Sequence, residues 1–379
     1  MANSVVLINA LSAKSAGGKS ILVNFLSSSY NVNDKFKYIV IVANQSDFSS
    51  FSSDKVKIIG SKFWSYQLVI PLSFIFINFL FSKYKCNIIF NLSDIPVISS
   101  NPQVMLFDWP YAVFLDSPAL KKSSFYGKLL RSVKLLYFRL SISYVDLLLC
   151  QTSLISNLMS SLYKINKIET VPNAVSLSAP QSIVSHDFNL PSGYKFLMLS
   201  KYYPHKNFEI LIPLAYLVRK FHNNFKFIIT ISKSDDLQGN KFIKRVKSLG
   251  LDDIIINIGT VPMEFVPSLY NQVDCLFLPS LLESFSGTYV EAMYYGLPIA
   301  TSNLPFATSV CSDSAVYFDP LDSKDIFSCL NLISGSQEIA RKCTTRGKTI
   351  LTSYPTWKEN YIRFTDHFNN TLFLRKCND

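Results

Sequence analysis

The sequence is short of charge: 17% of its 379 residues are Asp, Glu, Lys or Arg, against 49% hydrophobic. That balance excludes a chain that stays unfolded, and with no glycine period or sustained heptads, collagen-like and coiled-coil designs are excluded too. Histidine is scarce, with four residues and no H-E-x-x-H, which leaves little material for a zinc site. The seven cysteines (86, 150, 275, 311, 329, 343 and 377) are odd in number and include no C-x-x-C pair. A disulfide framework is therefore not expected, and a reducing cytosol suits the set. No basic residue precedes the short apolar run in Met-Ala-Asn-Ser-Val-Val-Leu-Ile-Asn, so the opening does not read as a secretory signal. The most membrane-like stretch, residues 68–81, contains Pro71, Ser73 and Asn78 and falls short of the ~20 residues that span a bilayer. The expectation is a cytoplasmic protein, with peripheral attachment at the inner face of the plasma membrane left open. No internal repeat or low-complexity tract is present.

What the chain does have is basic residues. Lys and Arg number 37 against 26 acidic residues, a formal charge of +11 that favours anionic partners. Those partners are nucleic acid, an acidic membrane surface or phosphorylated small molecules. Nucleic acid is the least attractive, because no recognised module or RNP-type aromatic motif occurs. A length of 379 residues suggests two domains at ~150 residues each.

Short apolar runs alternate with longer helical patterns. Strands are expected at 5–8, 38–42, 55–59, 87–90, 104–107 and 146–150, with helices at 20–26, 64–81, 126–140 and 153–163. A stretch rich in Pro, Ser and Asn interrupts this pattern at 171–194. The alternation then restarts, with strands at 196–199, 226–230, 254–258, 275–278 and 298–301 and helices at 208–220, 242–249 and 289–294. Near-continuous hydrophobic strands suit parallel sheets covered on both faces, so the fold class is α/β. Two doubly wound Rossmann-like domains are expected, 1–175 and 194–355, joined by a linker at 176–193. A cleft between such domains is where the carboxyl ends of parallel strands bind ligands.

Three motifs carry chemistry. Ala13-Lys14-Ser15-Ala16-Gly17-Gly18-Lys19-Ser20 follows a strand and opens a helix. A strict P-loop wants Gly where Ala13 stands, and a phosphotransferase also needs an acidic strand end for magnesium, for which Asp94 or Asp146 would have to serve. The same residues read as a glycine-rich turn bringing backbone amides to a phosphate, or as a purely structural turn. In Ser200-Lys201-Tyr202-Tyr203-Pro204-His205-Lys206-Asn207, two lysines follow a strand and could hold a pyrophosphate as point charges; the bland reading is a solvated basic turn. In 279–293, Glu283 and Glu291 flank Ser286-Gly287-Thr288, a turn that can start a helix whose positive end suits phosphate.

Segment 279–298 resembles the E-x7-E signature of retaining glycosyltransferases of family 4, which have the GT-B fold. The flanks agree: Gly259-Thr260-Val261, Leu269-Tyr270, Asp274, Pro279-Ser280 and Gly296-Leu297-Pro298-Ile299. Pro172-Asn173, Lys201 with Pro204-His205-Lys206-Asn207, 302–306 and 317–320 resemble bacterial members that build surface polysaccharides such as O-antigen or capsule.

The resemblance implies a nucleotide diphosphate sugar as donor and a saccharide, expected to be lipid-linked, as acceptor. It implies that Lys201 and Lys206 neutralise the leaving pyrophosphate, Glu283 faces the transferred sugar and Glu291 the ribose. Gly17, Gly18, Val261 and the amides of Ser286, Gly287 and Thr288 would line the donor. No D-x-D occurs, so the metal-clamped alternative lacks its ligands, and no cofactor or metal is expected. The segment 356–379 would form a helix crossing back to the first domain. Departures are Lys201 in place of Arg, Ser286 in place of Gly, Lys19 where a small residue is common, and Asp108 in place of His. Asp108 is either an acceptor or sugar contact or a structural residue. Two rival functions remain, a P-loop phosphotransferase and a non-catalytic nucleotide- or glycan-binding protein. Basic and aromatic residues around 62–85 and along 126–140 fit an anionic lipid surface or, equally, core helices with snorkelling lysines.

Overall fold

The computed structural model describes residues 4–14, 16–66, 68–122, 125–174, 184–232 and 237–378. Residue 175, at the end of the expected first domain, and residues 176–183 of the expected linker lie outside them, as does Ser15. The chain divides into two compact units. Among the described residues, unit 1 holds 4–115, 125–174 and 355–378, and unit 2 holds 116–122 and 184–354.

Unit 1 is a seven-stranded, wholly parallel sheet of order β3-β2-β1-β4-β5-β6-β7. Its strands are β1 (Ser4–Ala10), β2 (Phe36–Val42), β3 (Val56–Gly60), β4 (Ile88–Asn91), β5 (Gln103–Phe107), β6 (Leu147–Cys150) and β7 (Ile168–Thr170). The central strands are buried on both faces, which is why they read as unbroken apolar runs rather than alternating ones. Helices α1 (Ala16–Asn31), α2 (Ser73–Lys83), α3 (Phe125–Ser141) and α4 (Ser153–Leu162) cover the sheet. The helix expected over 64–81 is only α2, preceded by 3₁₀ turns at Phe63–Ser65 and Ile70–Leu72. Pro71 has no N–H to continue a helix and sits instead near the start of the second turn.

The chain's final helix also packs in unit 1. Its aromatic side chains Tyr361, Phe364 and Phe368 join Phe25, Tyr38 and Phe90 in one core cluster. Ring centroids lie 5.0 Å apart for both Phe25–Tyr361 and Phe90–Phe368. Tyr38 and Tyr361 share a hydroxyl hydrogen bond of 2.5 Å, and Tyr361 donates to Asp34, which pairs with Lys55 at 3.1 Å.

Unit 2 is a six-stranded parallel sheet of order β10-β9-β8-β11-β12-β13. The strands are β8 (Tyr194–Met198), β9 (Phe225–Ile229), β10 (Ile255–Asn257), β11 (Cys275–Leu278), β12 (Ile299–Ser302) and β13 (Ala315–Phe318). Helices follow in order: α5 (Leu211–Lys220), α6 (Leu237–Ser248), α7 (Val266–Tyr270), α8 (Gly287–Tyr294), α9 (Pro305–Cys311), α10 (Ser323–Gly335) and α11 (Gln337–Leu351); the unit 1 terminal helix is α12 (Trp357–Asn378). The sequence pattern did not bring out β7, β13 or α9–α11. Strand β13 is half-buried, so its apolar signal is diluted.

Successive strands in unit 2 run outward from β8 to β10, and the order then reverses at β11. The connections that follow β8 and β11 therefore lead to opposite faces of the sheet, and the carboxyl ends of these two adjacent strands mark the switch point where ligands bind in such folds. Lys201 and Lys206 follow β8, and Glu283 follows β11.

Candidate active site

Two loops meet at this reversal point. After β8 the chain makes a 3₁₀ turn at Pro204–Lys206 and a second at Phe208–Ile210, with Asn207 between them in the left-handed region at φ 64°, ψ 36°. Asn tolerates that conformation better than most residues. Its side chain is wholly buried and donates from Nδ2 to the Pro320 carbonyl at 2.8 Å. The sharp turn puts Lys206 against the second loop, where the Leu281 amide donates to the His205 carbonyl at 2.7 Å.

Lys206 Nζ donates to Glu283 Oε1 at 2.5 Å. The two side chains are 14% and 9% exposed, so this charge pair is largely withdrawn from water. Lys201 is exposed on the same loop, and Tyr203 stacks on His205 with ring centroids 5.3 Å apart. Beneath the second loop, Thr301 donates to the Leu278 carbonyl at 2.9 Å and Ser302 to that of Ser280 at 2.7 Å. The loop bearing Glu283 is thus fixed to the neighbouring strand β12.

Helix α8 begins at Gly287, with Ser286 as an extended N-cap. The Ser286 hydroxyl pairs with Thr288 Oγ1 at 2.8 Å and does not cap the helix. Gly287 and Thr288 open the helix, so their N–H groups have no carbonyl of their own helix to meet. Glu291 lies one turn inside, half-buried, and accepts a 2.7 Å hydrogen bond from the Tyr270 hydroxyl at Oε2. Burial raises the Glu291 pKa, and the Tyr270 hydrogen bond opposes that rise. Tyr270 is itself buried and stacks on Tyr295 at 5.0 Å. Val261 is half-buried in the loop after β10, beyond Gly259, whose φ of 80° suits glycine.

Unit 1 carries the other motif. Helix α1 starts at Ala16, so Gly17 and Gly18 lie in its first turn rather than in a loop before it. A side chain at Gly18 would meet the Ala13 backbone at 3.4 Å, and one at Gly17 would lie 4.0 Å from Asp108 Oδ2. Gln151 Nε2 donates to Asp108 Oδ1 at 3.3 Å. The helix start thus faces a carboxylate.

The P-loop reading loses its parts in this geometry. Lys19 pairs with Asp47 at 3.5 Å and lies over the Phe48 ring at 5.5 Å. Asp94 is tied to Lys134 at 2.5 Å. Asp146 accepts from the Gln103 amide at 2.7 Å and from Arg375 Nε at 2.8 Å. Both carboxylates proposed for magnesium are occupied in holding the fold. Among the described residues no cluster of three or more His, Cys, Asp or Glu side chains has the arrangement of a metal site.

Sequence reading missed Asn207 as a structural pivot and Tyr270 as the partner of Glu291. Asn207 carries a signal, since an Asn closing a Pro-containing turn is a left-handed candidate. Tyr270 carries none, because a pairing across 21 residues follows only from the folded sheet.

Comparison with known proteins agrees with this architecture. Residues 186–349 match the family model described as Glycosyl transferases group 1. The chain is similar to mannosylfructose-phosphate synthase of Agrobacterium fabrum, 35% identical over 89 residues, 23% of this chain and 20% of that protein. It is also similar to the O-antigen chain mannosyltransferase RfbU of Salmonella typhimurium, 26% identical over 138 residues, 36% of this chain and 38% of that one. The chain thus spans well under half the length of these curated relatives. The Anabaena Alr3699/HepE structure in complex with UDP-glucose superposes with a TM-score of 0.73 at 13% identity, covering 97% of this chain and 99% of that one. The fold is GT-B, built from two Rossmann-like units.

Proposed function

We propose that this chain, whose residues 186–349 form a Glycosyl transferases group 1 domain, is a retaining glycosyltransferase of cell-surface polysaccharide biosynthesis. It moves a sugar from a nucleotide diphosphate sugar to a saccharide acceptor, in O-antigen or capsule assembly. One observation carries the reading: the Lys206–Glu283 pair, 2.5 Å apart, at the carboxyl ends of β8 and β11 and four residues before α8 starts.

The chemistry follows from charge. As the C1–O bond to the distal phosphate breaks, negative charge grows on the pyrophosphate. A new C1–O bond to the acceptor hydroxyl forms on the same face, and that hydroxyl's proton passes to the departing phosphate oxygen. Lys201, Lys206 and the amides at the start of α8 lie ready to stabilise the growing charge. Fixed groups of this kind need no reorganisation during the reaction, so a divalent ion is not required in this reading. Glu283 meets hydroxyls of the transferred sugar and, before a donor binds, holds Lys206. Glu291 Oε1 meets the ribose, while Tyr270 holds Oε2. Val261 lines the nucleotide.

Gly17 and Gly18 enter differently from the family resemblance. A carboxylate at Asp108 would repel a phosphate at the start of α1, so a sugar hydroxyl suits that position better.

The acceptor in this reading is lipid-linked. The exposed residues Tyr126, Leu129, Val133, Leu136 and Leu140 form an apolar stripe along α3, with Lys128, Arg131 and Arg139 on the same helix. Such a face suits an anionic membrane surface. No helix among the described residues is long and apolar enough to cross a membrane.

The test is a thermal-shift screen with UDP-glucose, UDP-N-acetylglucosamine and GDP-mannose, followed by donor turnover. A true donor at about 100 times its Kd stabilises by about 2.7 kcal/mol. Glu283→Ala and Lys206→Ala, shown to be folded, should both lose turnover; wild-type rates in both would refute the assignment.

A further inference from the structure

A short segment from the first half of the sequence belongs to unit 2. Residues 116–122 lie between two stretches of unit 1, yet they pack with the sheet that carries the Lys206–Glu283 pair. The segment contains a 3₁₀ turn, Pro118–Leu120, capped by Ser117, which accepts from the Ala119 amide at 3.2 Å.

Two of its polar side chains reach the two loops of the site separately. Ser117 Oγ donates to the Leu281 carbonyl at 2.8 Å, two residues before Glu283. The Lys122 ammonium donates to Asn207 Oδ1, next to Lys206. Lys122 is exposed as a residue, but desolvation of its ammonium lowers its pKa, with the Glu209 carboxylate acting in the opposite direction. Neither side chain touches the pair itself.

We propose that Ser117 and Lys122 are positioning residues that set the spacing between Lys206 and Glu283. Between the two loops, the Leu281–His205 backbone hydrogen bond and the ion pair itself are direct ties. The ion pair is the element that a bound donor would have to rearrange, as Lys206 turns toward phosphate. At that moment the loops depend on their other supports: the backbone bond, the Thr301 and Ser302 bonds beneath the Glu283 loop, the Asn207–Pro320 bond, and the contacts of Ser117 and Lys122, one on each loop. Asn207 transmits the second contact, because its left-handed backbone and its bond to the Pro320 carbonyl leave its amide with one orientation. A misplacement of about 1 Å at reacting groups lowers a rate by roughly 100-fold.

This inference rests on the assignment of the pair to sugar transfer, and the experiment separates the two. Donor turnover is measured with the full chain and whichever of UDP-glucose or GDP-mannose it consumes, for Ser117→Ala, Lys122→Met, the double variant, Lys122→Arg and Glu283→Ala. The double variant is expected to lose roughly 10- to 100-fold in kcat while donor KM changes less than about threefold. Lys122→Arg, which still donates to Asn207, should recover most of the loss. A merely structural role would lower the melting temperature and would not separate kcat from KM. If Glu283→Ala is inactive while the double variant turns over within twofold of wild type, the positioning role is refuted alone. If Glu283→Ala turns over normally, the reading of the site and the inference fall together. If Lys122→Arg rescues nothing while melting falls in every variant, the segment is a fold element and the inference is refuted.

Discussion

Lys206 Nζ and Glu283 Oε1 lie 2.5 Å apart with 14% and 9% of their side chains exposed, and each is the other's ion-pair partner. Coulomb attraction is strong at that distance and depth, but two charges have also been taken out of water. Removing one partner strands the other, whereas removing both does not. Lys206→Met should therefore destabilise the ligand-free chain by about 2–4 kcal/mol, slightly below the range for fully buried pairs because some water still reaches both groups. The double variant Lys206→Met/Glu283→Gln should lose less than the single. Urea unfolding of the four proteins measures this, and additive losses would show that the pair is not coupled. Transfer should fall at least 100-fold in every variant, since charge stabilisation on the leaving group is lost.

Glu291 gives a pH signature. Burial lifts its folded pKa above the ordinary value of about 4.5, so its proton is held more tightly in the folded chain than in the unfolded one. The sign follows: its contribution favours folding below the unfolded value and is lost as pH rises through the folded pKa. Glu291→Gln keeps an acceptor for Tyr270 and removes the buried charge. The variant should melt above wild type at pH 7, and that difference should shrink as the pH is lowered toward 4.5. At the same time donor affinity should fall roughly tenfold, the scale of one hydrogen bond to a charged group. Melting curves across this pH window, with and without donor, check both halves; a variant less stable than wild type at pH 7 would contradict the first.

How much of this was legible in the sequence depends on the range of the interaction. The buried strands were visible because parallel strands covered on both faces are nearly all apolar, as in Val6–Leu7–Ile8 and Cys275–Leu278. Lys206 and Glu283 were visible because turn and helix-start chemistry is local. What pairs with what was not visible. The contact between Lys206 and Glu283 spans 77 positions, that between Tyr270 and Glu291 spans 21, and Ser117 reaches Leu281 across 164. Helix α1 was expected to begin four residues late because Gly17 and Gly18 have poor helix propensity; close approach to Ala13 explains why Gly18 is nevertheless in its first turn.

Helix α8 is held from behind by α11. A side chain at Gly347 would place its Cβ 2.9 Å from Met293 Cγ and 3.4 Å from Met293 Cβ, and Met293 is buried. Gly347→Ala gains up to about 1 kcal/mol of helix propensity. Overpacking a filled site costs about 1–3 kcal/mol, so the overpacking should win. A net loss of about 1 kcal/mol is expected, with α8 displaced and donor binding weakened. Combining it with Met293→Ala should abolish the clash, leaving the second alanine substitution neutral or stabilising in that background. Denaturant midpoints for the four proteins of the cycle decide it.

The exposed stripe on α3 makes a separate prediction. Leu129, Leu136 and Leu140 are 52%, 59% and 68% exposed, so replacing them with Gln should change folding stability by no more than about 0.5 kcal/mol. Lys134 is already committed to Asp94 and to the face of Trp109 at 4.3 Å, and Arg131 lies over Tyr111 at 4.2 Å. Arg139 is hydrogen-bonded to Tyr163, so Lys128 is the better cation for a lipid headgroup. Wild-type protein should cosediment with vesicles containing anionic phosphatidylglycerol, and less so at high salt. The triple Leu→Gln variant should stay in the supernatant. Equal sedimentation of both proteins would remove α3 from the membrane reading.

The last prediction concerns divalent ions, and it follows from how the positive charge is supplied. A metal-dependent transferase loses the cation opposite its pyrophosphate when the metal is chelated, and its rate collapses. Here Lys201 and Lys206 are covalently part of the loop after β8, and α8 presents its amino end beside Glu283. Chelators remove none of these. Transfer in excess EDTA should therefore stay within about twofold of the rate in magnesium, with Lys206→Ala inactive in both. Adding magnesium to Lys201→Ala gives the sharper comparison, because a metal arriving with the nucleotide could replace a missing point charge. Partial recovery there, alongside an unchanged wild type, would mean that the lysine occupies the electrostatic position a metal holds in other transferases. A wild-type rate that falls more than tenfold in EDTA would mean that the fixed cations do not suffice, a loss of about 1.4 kcal/mol or more of transition-state stabilisation that the protein's own groups do not provide.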